Sequence, residues 1–130
     1  MSRSWLKSSV LSALLLATPA LAAGTAEVKV GTGVEKYDIV GGSDTFKLAP
    51  NTRIYASTRL TDVSVGAVTV VWSKDGKEVS KTELKVPRSP YRTYAYRTFR
   101  AGDSGAWTAK VMDAEGGELG TASFTVDVSG

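Results

Sequence analysis

From Glu27 onward the chain alternates apolar and polar residues in short runs separated by Gly, Asp, Asn, Ser and Pro, a period of two that predicts strands. Val28 and Val30 alternate with Glu27 and Lys29 in a first strand running towards Val34, with a bend expected at Gly31 and Gly33. The stretch from Tyr37 to Phe46 contains a loop composition at Gly41, Gly42, Ser43 and Asp44, and Pro50-Asn51 marks a turn before the next strand. From Thr52 to Leu60, one face carries Ile54, Ala56, Thr58 and Leu60, and the opposite, wet face carries Arg53, Tyr55, Ser57 and Arg59. Ala67 to Ser73 points Val68, Val70 and Trp72 inward, and Asp75-Gly76 follows at once. That dipeptide predicts a type I′ hairpin, because both central residues of such a turn need positive φ. The returning strand, Lys77 to Val86, changes phase between Val79 and Leu84, which predicts a bulge or a change of pairing partner. Pro87 and Pro90 form a corner, and Tyr91 to Arg100 is a further strand. Asp103 then turns the chain into a strand with Trp107, Ala109 and Val111 inward; a last hairpin around Gly116-Gly117 ends with Phe124, Val126 and Val128 on one face.

About seven short strands in about a hundred residues, joined by tight turns, predict an all-β fold, an immunoglobulin-like antiparallel β-sandwich. Two landmarks support it. Trp72 falls on the third strand, where that fold buries a Trp. Asp103, Gly105, Trp107 and Ala109 resemble the Asp-x-Gly-x-Tyr-x-Cys corner that opens the sixth strand, with Trp in place of Tyr and Ala in place of Cys. The expected core comprises Ile54, Val70, Trp72, Trp107, Val111, Phe124 and Val126, with the two indoles meeting from different sheets in a dry interior. Truncating either Trp to Ala is expected to cost ~3–5 kcal/mol.

The N-terminus changes the picture of composition. Arg3 and Lys7 precede the apolar run Val10 to Ala17 and the small-x-small site Ala20-Leu21-Ala22, the pattern of a secretory signal peptide over residues 1–22. The run is shorter than the ~20 residues of a bilayer span. Export predicts a single β-sandwich domain over residues 23–130, periplasmic or secreted, with no membrane span after cleavage. The formal charge of +3 for all 130 residues includes Arg3 and Lys7, so the mature domain carries +1. Bulk attraction to nucleic acid or anionic lipid is therefore not implied. The chain has no cysteine, which excludes disulfides and thiolate metal sites.

Trp72, Asp75-Gly76-Lys77-Glu78-Val79, the segment from Ser89 to Tyr94, Gly105-Ala106-Trp107, the spacing of Val111, Asp113, Gly116 and Leu119, and Phe124 with Val126 together resemble the bacterial domain of unknown function 2914. The resemblance runs from about Val28 to Val128. It implies the sandwich fold and an envelope location, and it implies no activity. Tyr91-Arg92-Thr93-Tyr94 matches an aromatic-Arg-Thr-aromatic segment of that family. The opening strand lacks the family's Cys, and Tyr91 stands where Trp is expected.

The densest local chemistry lies between Arg88 and Arg100, with four Arg and four aromatic residues. Alternation places Arg92, Tyr94, Tyr96 and Arg100 on one face, and Tyr91, Arg97 and Phe99 on the other. Read as a binding strip, Arg88, Tyr91, Arg92, Tyr94, Tyr96, Arg97 and Arg100 stack sugar or peptide on rings and engage carboxylate or phosphate with guanidinium forks. Read as structure alone, Tyr favours strands and Arg stems cover apolar surface. Trp72 and Trp107 alternate in phase with Val, which favours core over a carbohydrate platform.

Catalysis finds little support. Without His or Cys there is no Ser-His-Asp triad, thiol nucleophile or usual zinc site. A carboxylate pair is enough for a glycosidase, yet Asp38, Asp44, Asp62, Asp103, Asp113 and Glu115 fall in or beside turns, where Asp serves local hydrogen bonding. Asp113, Glu115 and Glu118 lack the spacing of a calcium loop, and Gly31-x-Gly33 precedes no crossover helix. No metal or cofactor is expected. The expected function is a non-enzymatic binding module of the cell envelope whose partner is a polysaccharide or a protein. The alternatives are an accessory protein pairing through a sheet edge, with no small-molecule site, and, more distantly, a carboxylate-based hydrolase.

Overall fold

The computed structural model describes residues 24–129, and the signal peptide expected over residues 1–22 lies outside them. Nine strands form in chain order: β1 (Thr25–Glu35), β2 (Asp38–Gly42), β3 (Thr45–Leu48), β4 (Thr52–Thr61), β5 (Gly66–Lys74), β6 (Lys77–Val86), β7 (Tyr91–Phe99), β8 (Gly105–Met112) and β9 (Glu118–Val128). They make two sheets, ordered β2-β1-β4-β7 and β3-β9-β8-β5-β6. The chain changes sheet five times, between β2 and β3, β3 and β4, β4 and β5, β6 and β7, and β7 and β8. With β1, β4 and β7 as strands A, B and E, and β9, β8, β5 and β6 as G, F, C and C′, this is the immunoglobulin arrangement. No helix occurs among the described residues.

The alternation read from the sequence is the alternation of burial. On β4, Ile54, Ala56, Thr58 and Leu60 are all buried, and on β5 so are Val68, Val70 and Trp72. Asp75 (φ 51°) and Gly76 (φ 84°) both have positive φ, as the type I′ turn requires. The change of phase in the returning strand is a bulge: Trp72 pairs with Ser80 and Ser73 with Glu78, leaving Val79 unpaired and exposed.

Two expectations are corrected. Of the segment read as a loop from Gly41 to Asp44, Gly41 and Gly42 belong to β2, and only Ser43 and Asp44 connect it to β3 at Thr45; these two short strands raise the count from seven to nine. β3 pairs in parallel with β9, setting Phe46 beside Val126, so it seals that flank of the second sheet. The second correction concerns the indoles. Trp72 and Trp107 come from neighbouring strands of one sheet, β5 and β8, and not from different sheets. Phe99, from the opposite sheet, lies between them, with ring centroids 6.4 Å from Trp72 and 4.8 Å from Trp107.

Phe124 completes this cluster, 6.2 Å from Phe99 and 6.5 Å from Trp72. Trp72 and Trp107 expose 0% and 1% of their surface, so the centre of the sandwich is dry and aromatic. Ile54, Val70, Val111, Phe124 and Val126 are buried around it. The strand-opening corner takes a specific form. Trp107 Nε1 donates to the Asp103 carbonyl at 2.7 Å, and Asp103 Oδ2 accepts the Arg100 amide at 2.8 Å. The indole N–H thus replaces the Tyr hydroxyl as the donor that ties this ring back to the preceding turn.

Candidate functional site

The outer face of the β2-β1-β4-β7 sheet follows from its register. Arg59 on β4 lies between Glu27 and Arg92, Ser57 between Lys29 and Tyr94, and Tyr55 between Gly31 and Tyr96. Directly opposed side chains on one face lie within contact distance, so the pairing assembles rings and cations from strands far apart in the chain. Tyr55 sits 5.9 Å from Tyr94 and 5.8 Å from Tyr96, centroid to centroid. Arg53 caps the far end, its guanidinium 4.2 Å from the Tyr96 centroid. The Tyr55 oxygen, accepting from the Arg53 guanidinium, and the nearby Tyr96 side chain hold the Arg53 pKa above its ordinary value.

The near end is capped by the β1–β2 turn. Lys36 (φ 50°) and Tyr37 (φ 69°) both occupy the left-handed region, at the two central positions of a turn that normally takes Asn-Gly. Three contacts hold them there. Ser57 Oγ donates to the Tyr37 carbonyl. Arg92 Nη2 donates to the Lys36 carbonyl at 3.2 Å and Nη1 to Asp38 Oδ1 at 3.1 Å. The Tyr37 ring lies 6.0 Å from Tyr94. The hairpin can curl this way because β1 carries Gly31, where a methyl group would collide with the Ile39 side chain.

The result is a continuous ladder, Tyr37, Tyr94, Tyr55, Tyr96 and Arg53, running obliquely over the sheet. Tyr94 and Tyr96 remain 37% and 46% exposed, so their rings are not consumed by packing. Two grooves flank the Arg92 clamp on the β1–β2 turn. One, of about 750 Å³, runs beneath the hairpin and mixes Glu27, Asp38 and Asp44 with Lys29, Arg59 and Arg92. The other, of about 520 Å³, is lined by Tyr37, Arg59, Arg88, Pro90, Tyr91 and Arg92.

Of the residues singled out in the sequence, Arg92, Tyr94 and Tyr96 lie together on this face. Arg88 lies at its corner, the guanidinium 5.2 Å from the centroid of Tyr91, which pairs with buried Leu60 and packs partly against the core at the start of β7. Arg97 and Arg100 stand apart from it. Arg97 points inward, 5.0 Å from the Trp107 centroid and 5.6 Å from Phe99, donating to Ser80 Oγ at 3.2 Å and 3.9 Å from Asp103 Oδ2. It is a rim residue of the core. Arg100 falls beyond the end of β7, in the turn that its own amide closes on Asp103. Tyr37, Arg53, Tyr55 and Arg59 were not singled out. The last three were visible as the wet face of one strand, but only the register shows that they abut Tyr94 and Tyr96.

Of the carboxylates considered for chemistry, Asp44, Asp103 and Asp113 take hydrogen bonds from their own turns, and Asp38 pairs with Arg92. Asp113 Oδ1 accepts the amides of Glu115 and Gly117 at 3.0 and 2.7 Å, and Asp75 Oδ1 accepts that of Ala106 at 3.1 Å. No group of three or more His, Cys, Asp or Glu stands together among the described residues.

Compared with known protein families, residues 66–126 match the model described as protein of unknown function, DUF2914. The match begins at β5 and includes Arg88 to Arg100, but it stops short of Tyr37, Arg53, Tyr55 and Arg59. No curated protein matches the chain.

Proposed function

We propose that this chain, whose residues 66–126 belong to the DUF2914 family, is an exported, non-enzymatic binding module of the bacterial envelope that holds a polysaccharide on the outer face of its first sheet. The observation that carries the reading is the exposed ladder of Tyr37, Tyr94, Tyr55 and Tyr96 closed by Arg53. Sugar rings present apolar C–H faces to aromatic rings, while hydroxyl and anionic substituents take hydrogen bonds from guanidinium groups. A buried Tyr would only be filling space, whereas a row of half-exposed rings in mutual contact keeps its apolar area available. Support for export comes from Arg3, Lys7, the apolar run Val10 to Ala17 and the small residues at Ala20 and Ala22. Support for a non-enzymatic role comes from the absence of His and Cys in the sequence and from the local engagement of Asp103 and Asp113.

An arrayed-glycan screen of the purified protein tests this, repeated with Tyr55→Ala, Tyr94→Ala and Arg92→Ala. Binding to a subset of polysaccharides that weakens about tenfold in the Tyr variants, equivalent to ~1.4 kcal/mol, is the expected result. No glycan signal, together with a protein partner captured equally by wild type and variants, would replace this reading with edge-strand pairing. The free edge of β6 offers poor support for that alternative, because exposed Lys77, Glu78, Lys81, Glu83 and Lys85 place charges along it.

A further inference from the structure

The groove at the corner of this face differs from the ladder in its charge. Arg59, Arg88 and Arg92 line it together with Tyr37, Pro90 and Tyr91, and no carboxylate does. Of the three guanidinium groups, only that of Arg92 is engaged, by Asp38 and the Lys36 carbonyl. Arg59 and Arg88 make no ion pair or side-chain hydrogen bond among the described residues. Arg88 is nonetheless placed: its guanidinium lies 5.2 Å from the Tyr91 centroid. Stacking on a ring occupies the face of a guanidinium and leaves its in-plane N–H donors available. Uncompensated cations of like sign are unfavourable together unless an anion joins them. At about 520 Å³ the groove lies within the range of small-ligand sites.

We infer that this groove is an anion subsite of the glycan face, taking the carboxylate of an acidic sugar between Arg59 and Arg88, with the sugar ring against the exposed Tyr37. The inference rests on the reading of the adjoining ladder as a polysaccharide surface and names the class of polysaccharide: one bearing uronic acid units. A planar carboxylate matches the flat fork of Arg with two parallel hydrogen bonds. Arg92 acts as a positioning residue, since its two donors fix the Lys36–Tyr37 turn that forms one wall.

The test is calorimetric titration of the purified protein with oligogalacturonate, with its fully methyl-esterified and therefore neutral counterpart, and with inorganic phosphate. Wild type, the double variant Arg59→Gln/Arg88→Gln and the ladder variant Tyr55→Ala/Tyr96→Ala are compared. Wild type is expected to bind the acid at least about tenfold more tightly than the ester, a preference of ~1.4 kcal/mol that weakens with added salt. The Arg double variant is expected to bind acid and ester alike at the wild-type ester affinity, and the ladder variant to weaken both while keeping the preference. Equal binding of acid and ester by wild type, or a preference that survives in the Arg variant, overturns the subsite and leaves the ladder reading standing. Phosphate binding that is lost in the Arg variant, without any preference for the acid, overturns the carboxylate in favour of a phosphorylated ligand. Binding of neither oligosaccharide by any form removes the ladder reading for this polymer and the subsite with it.

Discussion

Asp103 makes four contacts with three neighbours. Its carboxylate accepts the Arg100 amide, its own amide donates to the Arg100 carbonyl, its carbonyl accepts Trp107 Nε1, and Oδ2 stands 3.9 Å from Arg97 Nη2. Arg97 in turn lies against the rings of Trp107 and Phe99. Removing the carboxylate therefore opens the turn and leaves a half-buried guanidinium without its countercharge. A hydrogen bond to a charged group contributes about 1.5–3 kcal/mol, so Asp103→Ala should lower the unfolding free energy by that amount. Chemical denaturation checks it: the midpoint falls and the slope is unchanged. A loss below about 0.5 kcal/mol would mean that the corner is held by Trp107 alone. Asp103 and Trp107 were legible as a corner because their spacing is local. Alternation also set Arg97 beside Phe99, away from Tyr94 and Tyr96, yet the strip read from composition included it.

At the scale of elements, the two hairpins show what the sequence discloses and what it hides. Asp75-Gly76 announces its turn because both residues tolerate positive φ at little cost, whereas Lys36-Tyr37 adopts the same signs of φ against preference. Left-handed residues of this kind cost roughly 1 kcal/mol or more and persist where surrounding contacts over-determine them. Here the contacts come from Ser57, Arg92 and Tyr94, distant in sequence, so no local pattern reports them. Lys36→Asn should raise stability by about 0.5–1 kcal/mol, because Asn accepts this conformation and the Lys36 carbonyl remains for Arg92. Thermal unfolding checks the gain, and an unchanged glycan affinity would show that the turn needs its shape and not the Lys side chain. β2 and β3 are short for a related reason: Gly41 and Gly42 at the end of β2 and Ser43-Asp44 between the two strands read as loop, and pairing with β1 and β9 supplies the order. Gly120 on β9 illustrates another long-range constraint, since a methyl group there would meet the Ala26 carbonyl of β1. Gly120→Ala should loosen β1 from β9 and lower stability by about 1–3 kcal/mol, with amide exchange accelerating first in β1 and β2.

The whole molecule joins its two sheets without a disulfide, as the chain has no cysteine. Their connection runs through side chains, and at the centre the first sheet contributes one ring, Phe99, to a cluster whose other members, Trp72, Trp107 and Phe124, belong to the second. A Phe-to-Ala truncation in a core costs about 3–5 kcal/mol, against a total stability of about 5–15 kcal/mol for a domain of this size. Phe99→Ala should therefore bring the protein close to unfolding, and do so for both sheets together, because the cavity faces each of them. Tryptophan fluorescence reports on the second sheet through Trp72 and Trp107, while far-UV circular dichroism reports on all strands. In wild type and in Phe99→Ala alike, the two signals should trace one transition, displaced to lower denaturant in the variant. Phe99→Leu, which keeps most of the apolar volume, should fall between them. If the fluorescence change separated from the circular dichroism change in Phe99→Ala, the sheets would be held as independent layers, and the face carrying Tyr55, Tyr94 and Tyr96 would owe its order to strand pairing and the Arg92 clamp, not to the aromatic centre beneath it.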